Sequence, residues 1–265
     1  MTRRRWIADE FAGDHAVLLG AHAAHLARIL RARVGQEFEV ACGEHVYRGI
    51  VARVADELVE FALHEELPFR AAPPITLLLA VFKFDRLEWA IEKCTELNVT
   101  EIVPVIARRT EKRLAQASEK RVERWRRIAR EAAEQSRRPV PPEILAPRKL
   151  ADALAEEADL RVVLAENERE TELIEVLRAG ASLPPQGKEA GANSTNIGAA
   201  KQASGNHADS AFSLALAIGP EGGWTPEELQ DFESSQWIAA SLGSTILRAE
   251  TAAIAALAVA RAEMG

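Results

Sequence analysis

The spacing of apolar and polar positions divides the chain into two parts with different predicted structures. In the first part, one short helix is expected over residues 21–30. Several short strands with one helix predict a small β-barrel over residues 1–70, and the prolines of 68–74 mark the expected domain boundary. Alternating or continuous apolar positions predict the strands of this part over 37–40, 46–54 and 58–63.

From residue 75 the pattern changes to that of an α/β domain. Residues 75–81 form a continuous apolar run, which is typical of a strand buried on both faces. Strands are then predicted to alternate with helices, which indicates a largely parallel sheet. The predicted strands are 75–81, 101–106, 160–165, 212–218 and 237–242, and the predicted helices are 85–97, 118–138, 150–157, 171–177, 225–233 and 249–263.

The longest predicted helix, 118–138, combines a buried stripe with a strongly basic face. Glu131 and Arg138 flank the stripe, and polar groups at the end of a buried stripe need partners from the fold, a second subunit or a substrate. The stripe is expected to consist of Val122, Trp125, Ile128, Ala132 and Gln135.

Residues 180–211 interrupt the alternation of strands and helices. This segment is rich in Gly, Ala, Ser, Asn and Gln and has almost no large apolar residue. Such a composition buries too little apolar surface to offset the entropy that is lost on ordering. The sequence therefore predicts a flexible surface insertion without a chemical role.

Charge is distributed unevenly along a chain whose net charge is −7. Residues 71–150 hold 17 basic and 11 acidic side chains, whereas residues 151–265 hold 7 basic and 18 acidic ones. Within the basic part, residues 108–138 carry 12 basic and 5 acidic side chains. Although a charge run is usually a solvated face, this density favours a surface that faces the phosphates of a nucleic acid.

The short helix of the first part carries a second cationic group. His25, Arg28 and Arg31 follow one another at helical spacing, and such a face suits either RNA contact or simple solvation. His22 and His25 have the spacing of two metal ligands on a helix. No third ligand is evident, so we expect no metal.

A glycine-rich turn follows the predicted strand 212–218. Three of the five residues 219–223 are glycines, and the residues 225–228 that follow have the pattern of a capping box with proline in the first helical position. Glycines let a backbone turn tightly and approach a ligand, and ligands in α/β sheets collect at the carboxyl ends of strands. An ordinary strand-to-helix turn needs only one glycine, so three favour a ligand site.

A second loop, 241–252, follows the last predicted strand and leads into an apolar helix. Arg248 and Glu250 lie where this helix begins. Taken alone, Arg248 is explained as a solvated residue, and Glu250 as a carboxylate favoured by the positive end of the helix dipole. Residues 252–260 are Ala, Ile, Leu and Val throughout, so this helix is buried or lies at an interface.

Composition and missing motifs exclude several protein classes. Cys42 and Cys94 are far apart and not in a CxxC motif, which argues against a disulfide scaffold and a cysteine zinc site. No apolar run approaches the ~20 residues of a transmembrane helix and no signal-peptide core is evident, so we expect a cytoplasmic protein. The GxSxG, GxxxxGK[ST] and GxGxxG motifs of common α/β enzymes are missing.

Five motifs occur in order along almost the whole chain, apart from the segment 180–211. They are HLARILRARVGQ (25–36), KxxRxExxxxKxTEL (83–97), EAAEQSRR (131–138), IGPEGG (218–223) and LGSTILRAETA (242–252). With these motifs the chain resembles the RsmE family of bacterial ribosomal-RNA methyltransferases, which belong to the knotted SPOUT superfamily. Two departures are Ser244-Thr245, where the family often has Pro-Arg, and Arg137, where it often has Gly.

The resemblance implies both a fold and an activity. The fold is a PUA-like β-barrel over residues 1–70 that helps bind RNA, and a SPOUT α/β domain over residues 74–265 with a C-terminal trefoil knot. The activity is methylation of uridine N3 in the 16S rRNA of the small ribosomal subunit by a homodimer, with S-adenosylmethionine bound in the knot.

Particular residues carry these implied roles. The residues expected to bind the cofactor are Glu166, Ile218, Gly219, Pro220, Gly222, Gly223, Leu242, Gly243, Ile246, Leu247 and Arg248. The residues expected to contact RNA are Arg5, His25, Arg28, Arg31, Arg108, Arg109 and Lys112.

The implied reaction suggests what the protein must supply. N3 lies on the Watson–Crick edge of the base, so the uridine must be unpaired or flipped. The sulfonium provides an activated methyl group, which leaves positioning and loss of the N3 proton to the protein. A cation beside the developing uridinate favours deprotonation, and we assign this catalytic role to Arg138, with Arg248 shaping the cofactor loop.

Two other functions fit the same residues. One is a SPOUT methyltransferase that acts on tRNA or on another rRNA position. The other is a catalytically silent RNA-binding factor that keeps the fold. The intact glycines of the 218–223 motif count against the silent factor, because a knot that binds no cofactor need not keep them.

Overall fold

The computed structural model describes residues 4–181 and 212–264, so the predicted insertion falls almost entirely outside the described residues. The first part of the chain forms a mainly antiparallel sheet. Its strands are β1 (Trp6–Ile7), β2 (Glu10–Ala12), β3 (His15–Leu19), β4 (Glu37–Cys42), β5 (His45–Ala55) and β6 (Leu58–Leu67). They pair in the order β1-β4-β5-β6-β3-β2, with β1 and β4 parallel. Alternate side chains of these strands, among them Leu18, Val40 and Phe61, form the core of this part.

The predicted helix over 21–30 is shorter and less regular than expected. Helix α1 (Gly20–Ala24) continues into a π-helical turn, His25–Ile29. Hydrogen bonds in such a turn join residues five apart, so residues three apart no longer lie one above the other. Arg31 follows this turn with a φ of 53°. The single cationic face expected from His25, Arg28 and Arg31 is therefore not formed as a regular helical face.

The second part forms a sheet in which every observed pairing is parallel, which confirms the predicted α/β class. The strands pair in the order β10-β8-β7-β12-β11-β13, with β9 beside β8. These labels denote β7 (Ile75–Ala80), β8 (Glu101–Ile106), β9 (Glu143–Ile144), β10 (Arg148–Lys149), β11 (Leu160–Leu164), β12 (Leu214–Ile218) and β13 (Ile238–Ala240).

Helices cover both faces of this sheet, which explains the continuous apolar run of β7. Leu77 and Leu79 belong to one buried cluster with Leu257, whereas Leu78 belongs to a second cluster with Phe232 on the opposite face. The helices are α2 (Phe84–Glu96), α3 (Lys112–Ser118), α4 (Val122–Gln135), α5 (Leu150–Ala153), α6 (Leu173–Ala181), α7 (Pro226–Ser234) and α8 (Ala249–Met264). Helix α5 is shorter than predicted, and α6 extends through Gly180, so the predicted insertion begins too early.

The predicted long helix 118–138 is broken, and its buried face differs from the prediction. A 3₁₀ turn at Glu119–Arg121 separates α3 from α4, and α4 ends at Gln135. Gln135, which was expected on the buried stripe, is exposed, whereas Glu134 is completely buried. The reason is that the first sheet packs against the end of α4, which buries a side of the helix that its periodicity marks as polar.

Glu134 is the centre of the contact between the two parts of the chain. Its carboxylate lies 2.6 Å from Nη2 of Arg4 and 3.1 Å from Nδ1 of His22, both from the first part. Arg130, one turn earlier on α4, lies 3.7 Å from the same carboxylate and donates a 2.7 Å hydrogen bond to the carbonyl of Ile7. The buried charge of Glu134 is thus surrounded by cations from both parts.

Candidate functional site

A cavity lies at the carboxyl edge of the parallel sheet, beyond the ends of β11, β12 and β13. Its volume is about 550 Å³. Three loops form most of its wall: residues 164–169 after β11, residues 218–224 after β12 and residues 240–249 after β13. Parallel strands end together at this edge, so loops distant in sequence meet there. The remaining wall includes Arg86 from α2 and Arg109 from the loop after β8.

The cavity brings together nearly all the side chains and glycines that the sequence assigned to the cofactor. The lining includes Glu166, Ile218, Gly219, Pro220, Gly223, Leu242, Gly243, Ile246, Leu247 and Arg248. Gly222 does not line it. A Cβ at Gly222 would lie 3.2 Å from Cδ of Arg109. Gly222 therefore leaves room for the side chain of Arg109 to pack against the loop.

Two glycines of the 218–223 motif are constrained, Gly223 by its backbone conformation and Gly219 by its neighbour. Gly223 has a φ of +68°, and a Cβ there would lie 3.5 Å from the carboxylate of Glu166. A Cβ at Gly219 would lie 3.3 Å from the indole of Trp224. The turn closes through a 2.8 Å hydrogen bond from the Gly223 amide to the Pro220 carbonyl. The backbone is thus held close to the cavity, where a side chain would intrude.

The loop after β8 holds the glycine loop in place, a role that the sequence analysis missed. The guanidinium of Arg109 donates to the carbonyls of Gly222 and Trp224. The amide of Arg108 donates a 2.8 Å hydrogen bond to the carboxylate of Glu228, which is buried. The predicted capping box at the start of α7 is confirmed: the Thr225 hydroxyl accepts from the Glu228 amide, and the Glu228 carboxylate accepts from the Thr225 amide.

The loop after β13 is bonded to the residues that directly follow the loop 164–169. The Ser241 amide donates to the Thr171 carbonyl, and the Leu173 amide donates to the Ser241 carbonyl, each over 2.9 Å. Glu168 accepts hydrogen bonds from the amides of the three residues that follow it, and these bonds hold the pKa of its carboxyl below the usual value. Gly243 has a φ of +103°, and Thr245 lines the cavity where the family often has Arg.

Within one chain, Arg138 lies at the opposite edge of the sheet from this cavity. Its Nη1 donates a 2.9 Å hydrogen bond to the carbonyl of Thr95, at the end of α2. It lines a second cavity, of about 360 Å³, with Asn98 and Thr100, which precede β8. Burial, and then the charge of Arg261, lower the pKa of Arg138 to about 10. A five-residue strand such as β12 spans roughly 16 Å, so Arg138 does not reach the cavity of its own chain.

The residues expected to contact RNA have different surroundings. Arg5 is buried, and its guanidinium donates to the Glu39 carboxylate and to the Arg137 carbonyl, so it joins the two parts of the chain instead of facing outward. His25 is partly buried, with its ring 6.1 Å from that of Trp6. The exposed members of the set are Arg28, Arg31, Arg108, Arg109 and Lys112.

In the described residues, the two histidines with metal-ligand spacing are not part of a metal cluster. His22, one of the two histidines with metal-ligand spacing, faces the Glu134 carboxylate. Residues 4–181 and 212–264 contain no group of three or more His, Cys, Asp or Glu side chains placed to hold a metal ion. In the same residues, no helix combines the length and apolar character needed to cross a membrane.

The class of the protein follows from the fold and from its sequence family. Residues 70–261 match the family described as an RNA methyltransferase domain, and this range includes the parallel sheet and the three loops of the cavity. The fold, the cavity and this match define an RNA methyltransferase domain.

Similar proteins narrow this class to one family. A ribosomal RNA small subunit methyltransferase E of Synechocystis is 33% identical over 264 residues, covering 97% of this chain and 77% of the relative. The protein of the same name from Rickettsia conorii is 31% identical over 258 residues, covering 95% of this chain and 88% of the relative. The chain therefore belongs to the ribosomal RNA small subunit methyltransferase E family, which confirms the resemblance seen in the sequence.

Solved structures show the same fold with a bound ligand. The Neisseria gonorrhoeae ribosomal RNA small subunit methyltransferase E, bound to S-adenosylmethionine, has a TM-score of 0.75 and 26% identity, covering 97% of this chain and 95% of that one. A Legionella pneumophila protein in complex with the same cofactor has a TM-score of 0.75 and 25% identity, covering 98% of this chain and 96% of that one. The expected cofactor is thus the ligand of both relatives.

Proposed function

We propose that this chain transfers a methyl group from S-adenosylmethionine to N3 of a uridine in the 16S rRNA of the small ribosomal subunit. The observation that carries the proposal is the cavity of about 550 Å³, built from three loops at the carboxyl edge of the sheet in a member of this methyltransferase family. The position is the one where α/β sheets bind ligands.

The residues of the cavity fit S-adenosylmethionine in size and in chemistry. The volume lies within the range of roughly 300–1,000 Å³ that is usual for small-molecule sites. The backbones of 218–223 and 242–248 would hold the cofactor, because their glycines leave room for close approach. Glu166 and Glu221 suit its cationic groups, and Arg248 suits its carboxylate.

The chain's own residues then have two tasks in the reaction. Bound S-adenosylmethionine supplies the activated methyl group. The protein must hold the uracil with N3 in line with that methyl group, and it must favour loss of the N3 proton. N3 takes part in base pairing, so the substrate is a uridine that is unpaired or flipped out of a helix.

The proposed fold of the whole chain contains two domains. Residues 1–70 would form the PUA-like barrel, and residues 74–265 the SPOUT domain with its trefoil knot. Support comes from the segment 68–74, which lies without regular structure between the two sheets. The hydrogen bonds between Ser241 and the loop after β11 are consistent with a knotted C-terminal segment. The protein would act in the cytoplasm, on the small subunit.

A catalytic role for Arg138 depends on the proposed homodimer. Within one chain Arg138 lies at the wrong edge of the sheet, so it would have to enter the cavity of a second copy. Arg138 is partly exposed, so a second copy could contact it. A single-turnover methylation rate that is unchanged in Arg138→Ala would exclude the role.

RNA contact is proposed for the exposed cations Arg28, Arg31, Arg108 and Lys112. They lie on both parts of the chain, as expected for a surface that follows a phosphate backbone. Arg5 has a structural role instead, and Arg109 is largely engaged by the glycine loop.

Two measurements separate this function from the alternatives. Calorimetric binding of S-adenosylmethionine is expected for either enzyme and not for a silent RNA-binding factor. Mass spectrometry of nucleosides after methyl transfer then distinguishes 3-methyluridine in 16S rRNA from a product on tRNA or on another rRNA position. A product other than 3-methyluridine would contradict the proposed substrate and leave the cofactor site in place.

A further inference from the structure

One cation reaches the cavity from outside the three loops that form most of its wall. Arg86 is the third residue of α2, and its side chain lines the cavity with one third of its surface exposed. The first turn of a helix is an unfavourable place for a positive charge, because the helix dipole is positive there. A carboxylate close to Arg86 is therefore stabilising.

Glu250 supplies that charge from the first turn of α8. It is only 5% exposed, and its Oε1 lies 3.7 Å from Nε of Arg86. Its Oε2 is buried without a hydrogen-bond partner in the described residues. A buried carboxylate that is only partly satisfied is costly, and the charge of Arg86 and the positive end of the α8 dipole offset part of this cost.

The contact through Nε leaves the outer edge of the guanidinium available. Within residues 4–181 and 212–264, neither terminal nitrogen of Arg86 forms a hydrogen bond. Arg109, by contrast, is bonded to carbonyls of the glycine loop. Arg248 and Arg169 line the cavity but are exposed, and no described carboxylate holds either one in place. Among the described arginines that line the cavity, Arg86 is thus the one that a carboxylate positions and whose terminal nitrogens are available to a ligand.

We propose that Arg86 contacts the substrate uracil and stabilises the negative charge that develops as N3 loses its proton, with Glu250 as the positioning residue for Arg86. This inference rests on the proposed function. The N3–H bond breaks and the proton passes to water. The freed electron pair of N3 forms the new bond to the methyl carbon, and the S–CH₃ bond breaks with its electron pair left on sulfur. A preorganised cation lowers the energy of the charged uracil without moving during the reaction.

The test is the single-turnover methylation rate of 16S rRNA as a function of pH, measured for wild type, Arg86→Ala, Arg86→Lys and Glu250→Gln. Loss of one preorganised charge-stabilising group usually lowers a rate about 10²- to 10³-fold, and this is the loss expected for Arg86→Ala at neutral pH. The deficit should shrink as the pH rises, because hydroxide then removes the N3 proton without help from Arg86. Arg86→Lys should retain part of the rate, and Glu250→Gln should show a smaller loss with the same dependence on pH.

The matched control is Arg124→Ala. Arg124 of α4 is exposed and pairs with Glu88 of α2, the helix that carries Arg86, so Arg124→Ala removes one positive charge beside α2 but none from the cavity. Its rate and pH profile should equal those of wild type. The other charged residues of the cavity stay unchanged in every variant, and they are Arg109, Glu166, Glu168, Arg169, Glu221 and Arg248.

Binding of S-adenosylmethionine, measured by calorimetry, shows that each variant is folded and separates the two possible ligands of Arg86. Affinity within about twofold of wild type, with the pH-dependent loss of rate, supports contact with uracil. Lost cofactor affinity in both Arg86 variants would overturn the proposal, since Arg86 would then bind the cofactor. A deficit that is the same at every pH would also overturn it. Wild-type protein that forms no 3-methyluridine would instead contradict the proposed function, and this inference with it.

Discussion

Gly223 illustrates how strongly single residues are constrained at the cavity. Its left-handed backbone disfavours any residue with a Cβ, and a Cβ there would contact the Glu166 carboxylate at 3.5 Å. Gly223→Ala is therefore expected to weaken binding of S-adenosylmethionine about tenfold or more, because a left-handed L-residue costs roughly 1–2 kcal/mol and relaxation would displace the loop. Isothermal titration calorimetry measures this change.

The matched control is Gly13→Ala. Gly13 has a similar φ of +56°, has no atom within 4 Å of the Cβ position, and lies outside the cavity. Gly13→Ala should lower the free energy of unfolding by roughly 1–2 kcal/mol, which is the cost of a left-handed L-residue. It should leave the dissociation constant for S-adenosylmethionine unchanged. Wild-type affinity in Gly223→Ala would contradict the role of the glycine loop in the site.

Arg137 ends α4 in a conformation that usually belongs to glycine. Its φ is 61°, and the Arg138 amide that follows donates to the Ala133 carbonyl over 2.8 Å, as in a helix C-terminus closed by a left-handed residue. The side chain pairs with Glu39 of the first sheet. The backbone strain at Arg137 is thus offset by a contact that joins the two parts of the chain.

Arg137→Gly and Arg137→Ala separate these two effects. Both lose the ion pair, and only the glycine variant relieves the backbone strain. We expect Arg137→Gly to be more stable than Arg137→Ala by about 1 kcal/mol in denaturant unfolding. Equal free energies of unfolding for the two variants would show that the left-handed conformation is not strained.

At the scale of elements, α7 fixes the end of the glycine loop. The capping box at Thr225 satisfies two backbone amides at the start of the helix, and Glu228 also accepts from the Arg108 amide. Thr225→Ala is expected to lower the free energy of unfolding by about 1 kcal/mol. Urea denaturation measures the loss. Ser234→Ala, at the other end of the same helix, is the control and should change stability by less than about 0.5 kcal/mol. A loss as large in the control would show that the cap is not the cause.

Most of the helices and strands could be predicted from periodicity. Where a predicted buried face is wrong, the cause is a contact with a distant part of the chain. The strands of the parallel sheet are apolar on both faces, and α7 carries its capping signal in four consecutive residues, so local sequence is sufficient there. The end of α4 was predicted wrongly because its burial depends on residues of the first part, such as Arg4 and His22, that lie more than 90 positions earlier in the chain. Periodicity in α4 alone marks Gln135 as buried and Glu134 as exposed, and the contact with Arg4 and His22 reverses this.

The candidate site was predictable to the same extent. The loops at 218–223 and 242–248 could be predicted because each contains glycine and directly follows a predicted strand. The support from Arg109 joins residues more than 100 positions apart, and no local pattern indicates it. Arg138 was assigned by its motif, but a motif does not tell at which edge of the sheet a helix ends.

At the scale of the whole molecule, charged groups hold the two sheets together. Glu39 of β4 accepts from Arg5 and Arg137. Burial raises the pKa of Glu39, but the hydrogen bonds from Arg137 and Arg5 outweigh it, so that the pKa lies below its ordinary value of 4.5. A carboxyl with a lowered pKa in the folded state adds stability above its unfolded pKa, and this stability is lost as the pH falls through the folded pKa.

Glu39→Gln tests this contribution through its dependence on pH. The variant should be less stable than wild type at pH 7, by roughly 1 kcal/mol for a partly exposed pair, and the difference should narrow as the pH falls below about 4.5. Denaturant unfolding at pH 7 and at acid pH measures both values. Glu44→Gln, an exposed carboxylate on the turn after β4, is the control. A difference that stays constant with pH would contradict the assigned charge.

The most direct test of the proposed function is methyl transfer from labelled S-adenosylmethionine to 30S subunits that lack their own rRNA methylation, followed by mass spectrometry of the nucleosides. Wild-type protein should produce 3-methyluridine in 16S rRNA, and Gly223→Ala should produce less of it at the same cofactor concentration. Absence of transfer, together with tight RNA binding and no binding of S-adenosylmethionine, would contradict the enzyme and favour a silent RNA-binding factor.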